Sequence, residues 1–348
     1  MPVRDPALET WSSSIDAFPI CGTASEKLKA LVAFAVRAPS SHNSQPWRFR
    51  LVDETLELRA DRTRRLPVVD PEDRELTISC GAALGFLEVA LHNFGFEGSI
   101  ELMPPGGDQD LLARVGLGEN RDPTLMDRTL FEAMRVRRTS RSPFLPRTPG
   151  TDLIAALEAY GYQNGVWLRI LQSESQRATV TDLISEADRV QMADAAFRHE
   201  LSSWLHPNRS TSRDGMPGWA FGLNILQSIA VPLVVRTFDT GSGRAAIDRE
   251  LVEGSPLLAV LGSSTDTRHD WMQVGRVLTR ILLSAAAEGV AASFLNQPIE
   301  VPALRQRVSA LLGSTGYPQL ILRMGYPARE NRRTQRRDAR DVIEESAP

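Results

Sequence analysis

Lysine and cysteine are both scarce in this sequence. Of its 40 basic side chains, two are lysines, Lys27 and Lys29, and the remaining 38 are arginines. Adjacent arginines are therefore expected by chance and are weak indications of a site when taken alone. The two cysteines, Cys21 and Cys80, lie far apart, which excludes a disulfide framework and a Cys-x-x-Cys metal site and fits a reducing cytoplasm.

The motifs of several common enzyme classes are also absent. The sequence has no phosphate-binding loop, no Gly-x-Gly-x-x-Gly that follows a strand, and no His-Glu-x-x-His pattern among its five histidines. Ser40, Ser41 and His42 are neighbours on an expected loop, so their side chains point apart, and no Gly-x-Ser-x-Gly motif supports a serine nucleophile. These absences disfavour a P-loop, Rossmann, zinc or serine-hydrolase site.

Charge and hydrophobicity limit the expected partners. The formal net charge of −3 disfavours nucleic acid as a partner. The most apolar stretches are 28–36, which is too short to span a membrane, and 281–295, which contains Glu288. Residues 1–16 have no apolar segment after basic residues, so no secretory signal is expected. We expect a cytoplasmic protein that binds a small molecule.

Apolar spacing and turn residues predict the elements of the first part of the chain. With 348 residues, 42% of them hydrophobic, the chain can form one large or two smaller domains. The predicted elements are a helix over 25–37 that ends before Pro39, a hairpin of strands 47–52 and 55–60 with its turn at 53–54, a helix over 75–94, and strands over 99–102 and 111–117.

A weak internal repeat follows. Gly81 and Gly95 enclose an apolar helix, and Gly275 and Gly289 enclose another with the same spacing. Downstream of each helix, LLARVGLG at 111–118 is echoed by LILRMGYP at 320–327. Apolar helices that end in glycine are common, so chance is one explanation. The other is a duplicated α+β unit joined near residues 119–130, whose two copies pack as a pseudo-dimer within one chain.

The second part of the chain carries additional segments. Residues 174–205 are predicted to be helical, with an amphipathic stripe through Val190, Ala193, Phe197 and Leu201. The segment HPNRSTSRDGMPGWAFG at 206–222 is rich in turn residues and predicts a long exposed loop or lid. Six arginines follow between Arg329 and Arg340.

Three polar clusters are candidates for a site. SSHNSQPW at 40–47 is either a turn that seats Trp47 in the core or a site for the polar edge of a heterocycle. RRTSRSPF at 137–144 is either a solvated basic turn or a phosphate site of guanidinium groups and a hydroxyl. The arginines at 332–337 are a solvated end, a tail that closes over a phosphate, or an RNA contact, which the net charge disfavours.

Together these segments resemble one enzyme family. APSSHNSQPWRF at 38–49 resembles the loop of FMN-dependent nitroreductases, and RRTSRSPF resembles their arginine–serine/threonine–basic motif. GVAASFLNQP at 289–298 and RMGYP at 323–327 resemble their later helix–strand and closing segments. Over residues 25–345 the chain is most similar to the two-unit, Acg-type nitroreductase-like proteins.

The resemblance implies an α+β nitroreductase-like fold of two fused units that form an intrachain pseudo-dimer. The first unit, 1–125, would carry the serine-asparagine loop. The second, 126–348, would carry the arginine motif, the lid insertion and the arginine tail. Because neither motif has a second copy, one complete flavin site per chain is expected at the interface of the units, in a chain that is otherwise monomeric.

The resemblance also implies roles for individual residues. Arg137, Thr139 and Arg141 would hold the phosphate and ribityl groups of FMN. Ser40, Ser41 and Asn43, together with Gln45 of the same loop, would approach the flavin from the other unit. Asn296 and Gln297 would lie near the N5 edge of the flavin, and Arg336 or Arg337 would complete the phosphate site.

The implied function is an oxidoreductase that passes hydride from NAD(P)H through flavin to a nitroaromatic or quinone-like acceptor. No residue of the sequence is identified as a general acid. The alternative is a non-enzymatic flavin-binding or flavin-sequestering protein, in which residues 206–222, with Trp219 and Phe221, close the site. The least favoured interpretation is an interaction module formed by the arginine tail.

Overall fold

The computed structural model describes residue 11 and residues 18–161, 164–314, 316–329 and 332–344. The elements of the first part of the chain are α1 (Ala24–Ala35), β1 (Trp47–Val52), β2 (Thr55–Ala60), α2 (Arg74–Asn93), β3 (Ser99–Leu102), β4 (Leu111–Gly116) and α3 (Leu125–Val136).

The second part begins with α4 (Thr151–Gly161) and β5 (Val166–Ile170). An insertion follows that contains α5 (Glu174–Ala193), α6 (Ala195–Ser203), β6 (Leu205–His206), β7 (Met216–Pro217), α7 (Ile225–Thr237) and α8 (Gly241–Glu253). The chain then forms β8 (Leu257–Ser263), α9 (Arg268–Ala287), β9 (Ala291–Phe294), α10 (Gln297–Glu300), α11 (Pro302–Leu311), β10 (Tyr317–Gly325), α12 (Ala339–Val342) and β11 (Ile343–Glu344).

Local sequence signals fix the start of the fold. The predicted first helix is confirmed as α1, which begins at a capping box in which Thr23 and Glu26 bond each other's backbone nitrogens. The predicted hairpin is confirmed as β1 and β2, and Asp53 in its turn has the positive φ of 53° that a tight hairpin requires. Trp47 at the start of β1 is completely buried, as the core interpretation of that residue predicts.

The two larger sheets have the same topology. The first has the order β11-β1-β2-β4-β3, and the second has the order β5-β8-β10-β9. Apart from β11, which pairs parallel with β1, all neighbours in both sheets are antiparallel. Each sheet has one long helix, α2 or α9, between its second and third strands along the chain, and β4 and β10 carry the echoed segments. The fold is α+β and consists of two fused units, as predicted.

The repeated glycines lie where α2 and α9 cross. A Cβ on Gly81 would lie 2.3 Å from the backbone oxygen of Met272, and a Cβ on Gly275 would lie 2.1 Å from that of Ile78. A side chain at either position would therefore separate the helices. The duplication thus placed a close helix–helix contact at the centre of the molecule. Almost all of α2 is buried there, and this explains why it is apolar and long enough to pass for a membrane span.

The insertion between β5 and β8 departs from the repeat. The predicted continuous amphipathic stripe is wrong, because Val190 and Ala193 are exposed while Phe197 is buried. The helix breaks at Asp194, which has an extended backbone and caps α6 by accepting a hydrogen bond from the nitrogen of Ala196 at 2.8 Å. The apolar periodicity therefore cannot continue across the break.

The end of the chain returns to the first unit. Ile343 of β11 pairs with Phe49 of β1. The C-terminal strand thus extends the sheet of the first unit. The boundary predicted at 125/126 remains a prediction, and residues 1–10, 12–17 and 345–348 of the predicted units lie outside the described residues.

Candidate functional site

The serine-asparagine loop (residues 40–47) joins α1 to β1 in an unusual backbone conformation. His42, Asn43 and Gln45 have positive φ angles of 51°, 55° and 54°, a region that residues other than glycine seldom adopt. The Ser40 hydroxyl stabilises the loop by accepting a hydrogen bond from the backbone nitrogen of Gln45 at 2.9 Å. Backbone strain of this kind is concentrated at functional sites.

The amide side chains of this loop are bonded to other parts of the chain. Asn43 Nδ2 donates to the carbonyl oxygens of Gly215 at 2.9 Å and Gln335 at 3.2 Å. Gln45 Nε2 donates to the carbonyl oxygen of Arg213 at 2.8 Å. The loop is therefore fixed by the insertion and by the C-terminal tail, and its contact with a flavin stays a prediction.

The two candidate tail arginines have different surroundings. Arg336 is buried and donates from Nη1 to Asn43 Oδ1 at 2.8 Å. Burial and the neighbouring charge of Arg137 lower the pKa of Arg336 well below its usual value. Arg337 instead forms an ion pair with Asp61 at 3.5 Å. Of the two, Arg336 is therefore the one placed beside the arginine motif, and the tail is packed rather than solvated at this point.

Arg137 is the best-defined cation of the site. It is 3% exposed, and its guanidinium lies over the Phe86 ring, 5.8 Å from the centroid. Nη2 donates to the carbonyl oxygen of Arg37 at 3.3 Å, while Nε has no hydrogen-bond partner and no carboxylate pairs with the group among the described residues. Burial lowers the pKa of Arg137 to about 10. A buried cation in this state is stabilised by an anion that binds next to it.

The middle of the arginine motif contacts the second sheet. Thr139 forms a parallel bridge with Ala292, and the backbone nitrogen of Ser140 donates to the Ala292 carbonyl at 2.9 Å. Arg323 of β10 is completely buried and donates from Nη2 to the carbonyl oxygens of Ser140 and Ser142 at 2.9 and 3.0 Å. Arg323 Nε, Arg323 Nη1 and Ser140 Oγ have no partner in the described part of the chain. Arg323 is the first residue of the RMGYP segment, for which the sequence predicts no individual role.

Arg141 connects the serine-asparagine loop to the insertion. Its Nη2 lies 3.4 Å from Met216 Sδ, and its guanidinium lies over the Phe221 ring at 5.2 Å. Burial and the positive charge of Arg141 lower the pKa of His42 to about 4, so this imidazole is neutral at pH 7. Arg141 is therefore close enough to the serine-asparagine loop to act on His42 through its charge, and its contact with a flavin stays a prediction.

Ser41 and Asn296 are brought together by a residue that sequence reasoning missed. The Ser41 hydroxyl donates to Glu75 Oε2, and Asn296 Nδ2 donates to Glu75 Oε1 at 3.3 Å. Arg74 donates to the same Oε1 atom at 3.0 Å. Glu75 lies in the first turn of α2. Its acidic side chain in an otherwise apolar helix is the feature of the sequence that could have identified it as a site residue.

Gln297 faces two aspartates of the insertion. Its Nε2 atom donates to Asp188 Oδ1 at 3.1 Å and to Asp248 Oδ2 at 2.9 Å. Its Oε1 atom is buried without a hydrogen-bond partner among the residues described. Neither aspartate is visible as a site residue in the sequence, because each is separated from Gln297 by tens of residues and lies on an ordinary helix.

The segment at 206–222, here the covering segment, is not the exposed loop that the sequence predicts. Residues 215–218 are buried, and β6 and β7 pair within the segment. Asp214 forms an ion pair with Arg64, whose Nε donates to the carbonyl oxygen of Ser44 at 2.5 Å. Its turn-rich composition indicated exposure, but long-range hydrogen bonds fix the segment against the serine-asparagine loop.

Several buried polar atoms of the second unit have no hydrogen-bond partner within the described residues. They include atoms of Arg137, Ser140, Arg323, Gln297, Asp188 and Asp248. No group of three or more His, Cys, Asp or Glu side chains with metal-binding geometry occurs in that part of the chain. The donor set, rich in guanidinium and amide groups, suits an anionic heterocycle rather than a metal.

Comparison with known proteins points to the family that the sequence motifs resemble. The sequence profile of the "Nitroreductase family" matches residues 23–68, which are α1, the serine-asparagine loop and the first hairpin. "Putative NAD(P)H nitroreductase Rv3131" of Mycobacterium tuberculosis is 32% identical over 86% of this chain and 85% of its own. "Putative NAD(P)H nitroreductase acg" of the same organism is 29% identical over 86% of this chain and 88% of its own.

A solved structure, the FMN and NADPH-dependent nitroreductase NfnB of a Sphingopyxis strain, covers 63% of this chain and 99% of its own at 19% identity and a TM-score of 0.42. The family profile and the relatives named as putative NAD(P)H nitroreductases identify the class of the chain as an oxidoreductase. The identity and coverage of the Mycobacterium tuberculosis relatives show that the chain belongs to the nitroreductase family.

Proposed function

We propose that the chain is an FMN-dependent oxidoreductase that transfers hydride from NAD(P)H to a small nitroaromatic or quinone-like acceptor. The observation that carries this proposal is the buried, unpaired Arg137 guanidinium, which lies beside Arg336 and close to the serine-asparagine loop. A phosphate monoester offers the negative charge and the acceptor oxygens that this arrangement lacks.

The residues of both units would hold the cofactor. Arg137 and Arg336 would bind its phosphate, and Thr139 would contribute a hydroxyl. Arg141 and Arg323 would place positive charge near the ring system, where it favours a reduced, anionic flavin. FMN would supply the hydride-accepting and hydride-donating centre. The protein's part is to position the ring and to exclude water.

A second candidate function is favoured by the covering segment. Because the carbonyl oxygens of Arg213 and Gly215 accept hydrogen bonds from the serine-asparagine loop and Phe221 stacks on Arg141, access to the site from this side would be restricted. The second candidate is therefore a protein that binds and retains flavin without rapid turnover. Here the covering segment would act as a closed lid.

Two narrower proposals accompany this function. The site would form once per chain, at the interface of an internal pseudo-dimer, in a cytoplasmic protein that needs no second copy. The interaction-module interpretation of the tail loses support, because Gln335 and Arg336 are buried against the serine-asparagine loop.

An absorbance experiment distinguishes these functions. FMN is added to the purified protein, unbound flavin is removed, and NADPH is added under anaerobic conditions. If the protein is a reductase, it retains the flavin spectrum, and NADPH bleaches that spectrum within the time of mixing. A flavin-retaining protein keeps the spectrum but bleaches slowly or not at all. A spectrum without flavin after removal of the unbound fraction contradicts both functions.

A further inference from the structure

Asp188 of α5 and Asp248 of α8 form a buried carboxylate pair at the edge of the proposed site. They are 3% and 1% exposed, and both accept a hydrogen bond from the same atom, Gln297 Nε2. The second helix also provides Arg244, whose Nε donates to Asp248 Oδ2 at 2.8 Å. Two carboxylates that share one donor in a buried environment repel each other unless one of them is protonated.

The second oxygen of each carboxylate, the one that does not bond to Gln297, indicates which partner the pair needs. Asp188 Oδ2 and Asp248 Oδ1 are buried and have no hydrogen-bond donor in the described part of the chain. A carboxylate oxygen that is removed from water without a donor destabilises the folded state. A proton bound to one of these oxygens would turn it into a hydrogen-bond donor, and the other oxygen would accept from it. A proton is also the smallest such partner and needs no cavity.

The charges that face the pair come from all the elements packed around it. Arg189 lies on α5 and Arg244 on α8, while α10 contributes the neutral amide of Gln297. Asp248 also raises the pKa of two arginines that burial lowers, Arg141 and Arg323. The pair is therefore electrically linked to the guanidinium groups that the proposed cofactor would approach.

We propose that Asp188 and Asp248 share one proton at neutral pH, and that this proton sets how much positive charge the nearby arginines present to an anionic flavin. The inference rests on the proposed function, because it assigns Asp188 a positioning role toward the cofactor. With both carboxylates ionised, Arg141, Arg244 and Arg323 are largely neutralised. With one proton in place, more of their positive charge remains for the ligand, so binding of an anion takes up a proton.

The titration of Asp188 falls in the physiological range. Burial and the negative charge of Asp248 raise the pKa of Asp188 to about 7. An anionic ligand raises it further, because the ligand favours the protonated form. Flavin affinity should therefore fall as pH rises through neutrality, and Asp188→Asn, which imitates the protonated acid without titrating, should remove that dependence.

The first test is FMN affinity between pH 6 and pH 9, measured by quenching of flavin fluorescence, for the wild type and Asp188→Asn. We expect wild-type affinity to fall about three- to tenfold more than that of the variant over this range, as for a change of one partly screened charge. Titration of the FMN phosphate cancels in this comparison. Asp182→Asn, an exposed aspartate on the same helix, is the matched control and should follow the wild type.

Calorimetry in two buffers of different ionisation enthalpy gives a second readout. The wild type should take up a fraction of a proton on binding FMN at pH 7.5, and Asp188→Asn should take up less. Identical pH curves and identical proton uptake for the two proteins would overturn the proposal. If Asp188→Asn weakened FMN binding by the same factor at every pH, this would also overturn the proposal, since that result indicates a purely structural role.

A third measurement needs no flavin and separates the inference from the proposed function. A proton held more tightly by the folded state stabilises it at low pH, and this stabilisation is lost as pH rises from the usual aspartate range towards about 7. The melting temperature of Asp188→Asn should therefore rise relative to the wild type between pH 5 and pH 8. A constant difference refutes the shared proton, whereas failure to bind FMN refutes only the proposed function.

Discussion

The two units have the same strand order and the same central helix, but they contribute unequally to the site. The first unit provides Glu75 and a strained loop in which the side chains of Ser40, Ser41, Asn43 and Gln45 are all hydrogen-bonded. The second unit provides the buried arginines and the insertion that packs over the loop. The two units are thus alike at the α2–α9 crossing and differ around the candidate site, and the proposed flavin site would draw on groups of both.

The largest expected effect comes from the crossing itself, where the units are most alike. We expect Gly275→Ala and Gly81→Ala each to lower the free energy of unfolding by about 3 kcal/mol, the upper end for overpacking, because the new methyl group meets a backbone oxygen that cannot move aside. Thermal unfolding of both variants measures this. Gly243→Ala in α8, with open space around its Cβ, is the control and should be neutral or slightly stabilising. Equal melting temperatures for all three variants would contradict the close crossing.

The next effect should appear where the units differ. Arg137→Ala is expected to weaken FMN binding by about 1.5–3 kcal/mol, roughly 10- to 150-fold in Kd, because a charge-assisted contact to phosphate is lost. Fluorescence titration measures the affinity. Arg128→Ala, an exposed position on α3, the helix that ends just before Arg137, is the matched control. Unchanged affinity in Arg137→Ala would remove the phosphate assignment.

A smaller effect is expected at the contact between the insertion and the first unit. Asp214 accepts hydrogen bonds from Arg64 and from Ser212 and is 3.3 Å from His206. Asp214→Asn should loosen the covering segment and speed the release of FMN by roughly tenfold, about 1.4 kcal/mol. Stopped-flow fluorescence measures the release rate. Arg209→Ala, an exposed change in the same segment, should leave the rate unaltered, and equal rates in both variants would show that the segment does not cover the site.

The smallest effects should be equal in the two units. Thr23 caps α1 and Thr267 caps α9, each through a capping box. We expect Thr23→Ala and Thr267→Ala each to cost about 1 kcal/mol in the free energy of unfolding, without changing flavin affinity. Denaturation midpoints and a flavin titration measure both properties. A loss of affinity in only one variant would indicate that its helix end belongs to the site.

The sequence predicted those parts of the molecule that depend on neighbouring residues. The hairpin at 47–60, the long apolar helix and the strand at 99–102 follow from alternation, periodicity and turn residues, and the repeat spacing located the crossing glycines. By contrast, the contacts of Glu75 and the aspartates around Gln297 arise from long-range packing. Turn-rich composition at 206–222 wrongly indicated an exposed loop, because composition does not reveal bonds to a loop that is far away in the chain.

The central claim is that one flavin site forms per chain from groups of both units. The most direct measurement is the number of FMN molecules bound per chain at saturation, obtained from flavin absorbance against protein concentration determined by amino-acid analysis. The account predicts one FMN per chain for the wild type and a strongly reduced occupancy for Arg137→Ala at the same FMN concentration. Two FMN molecules per chain, or full occupancy in the variant, would contradict a single site shared by the two units.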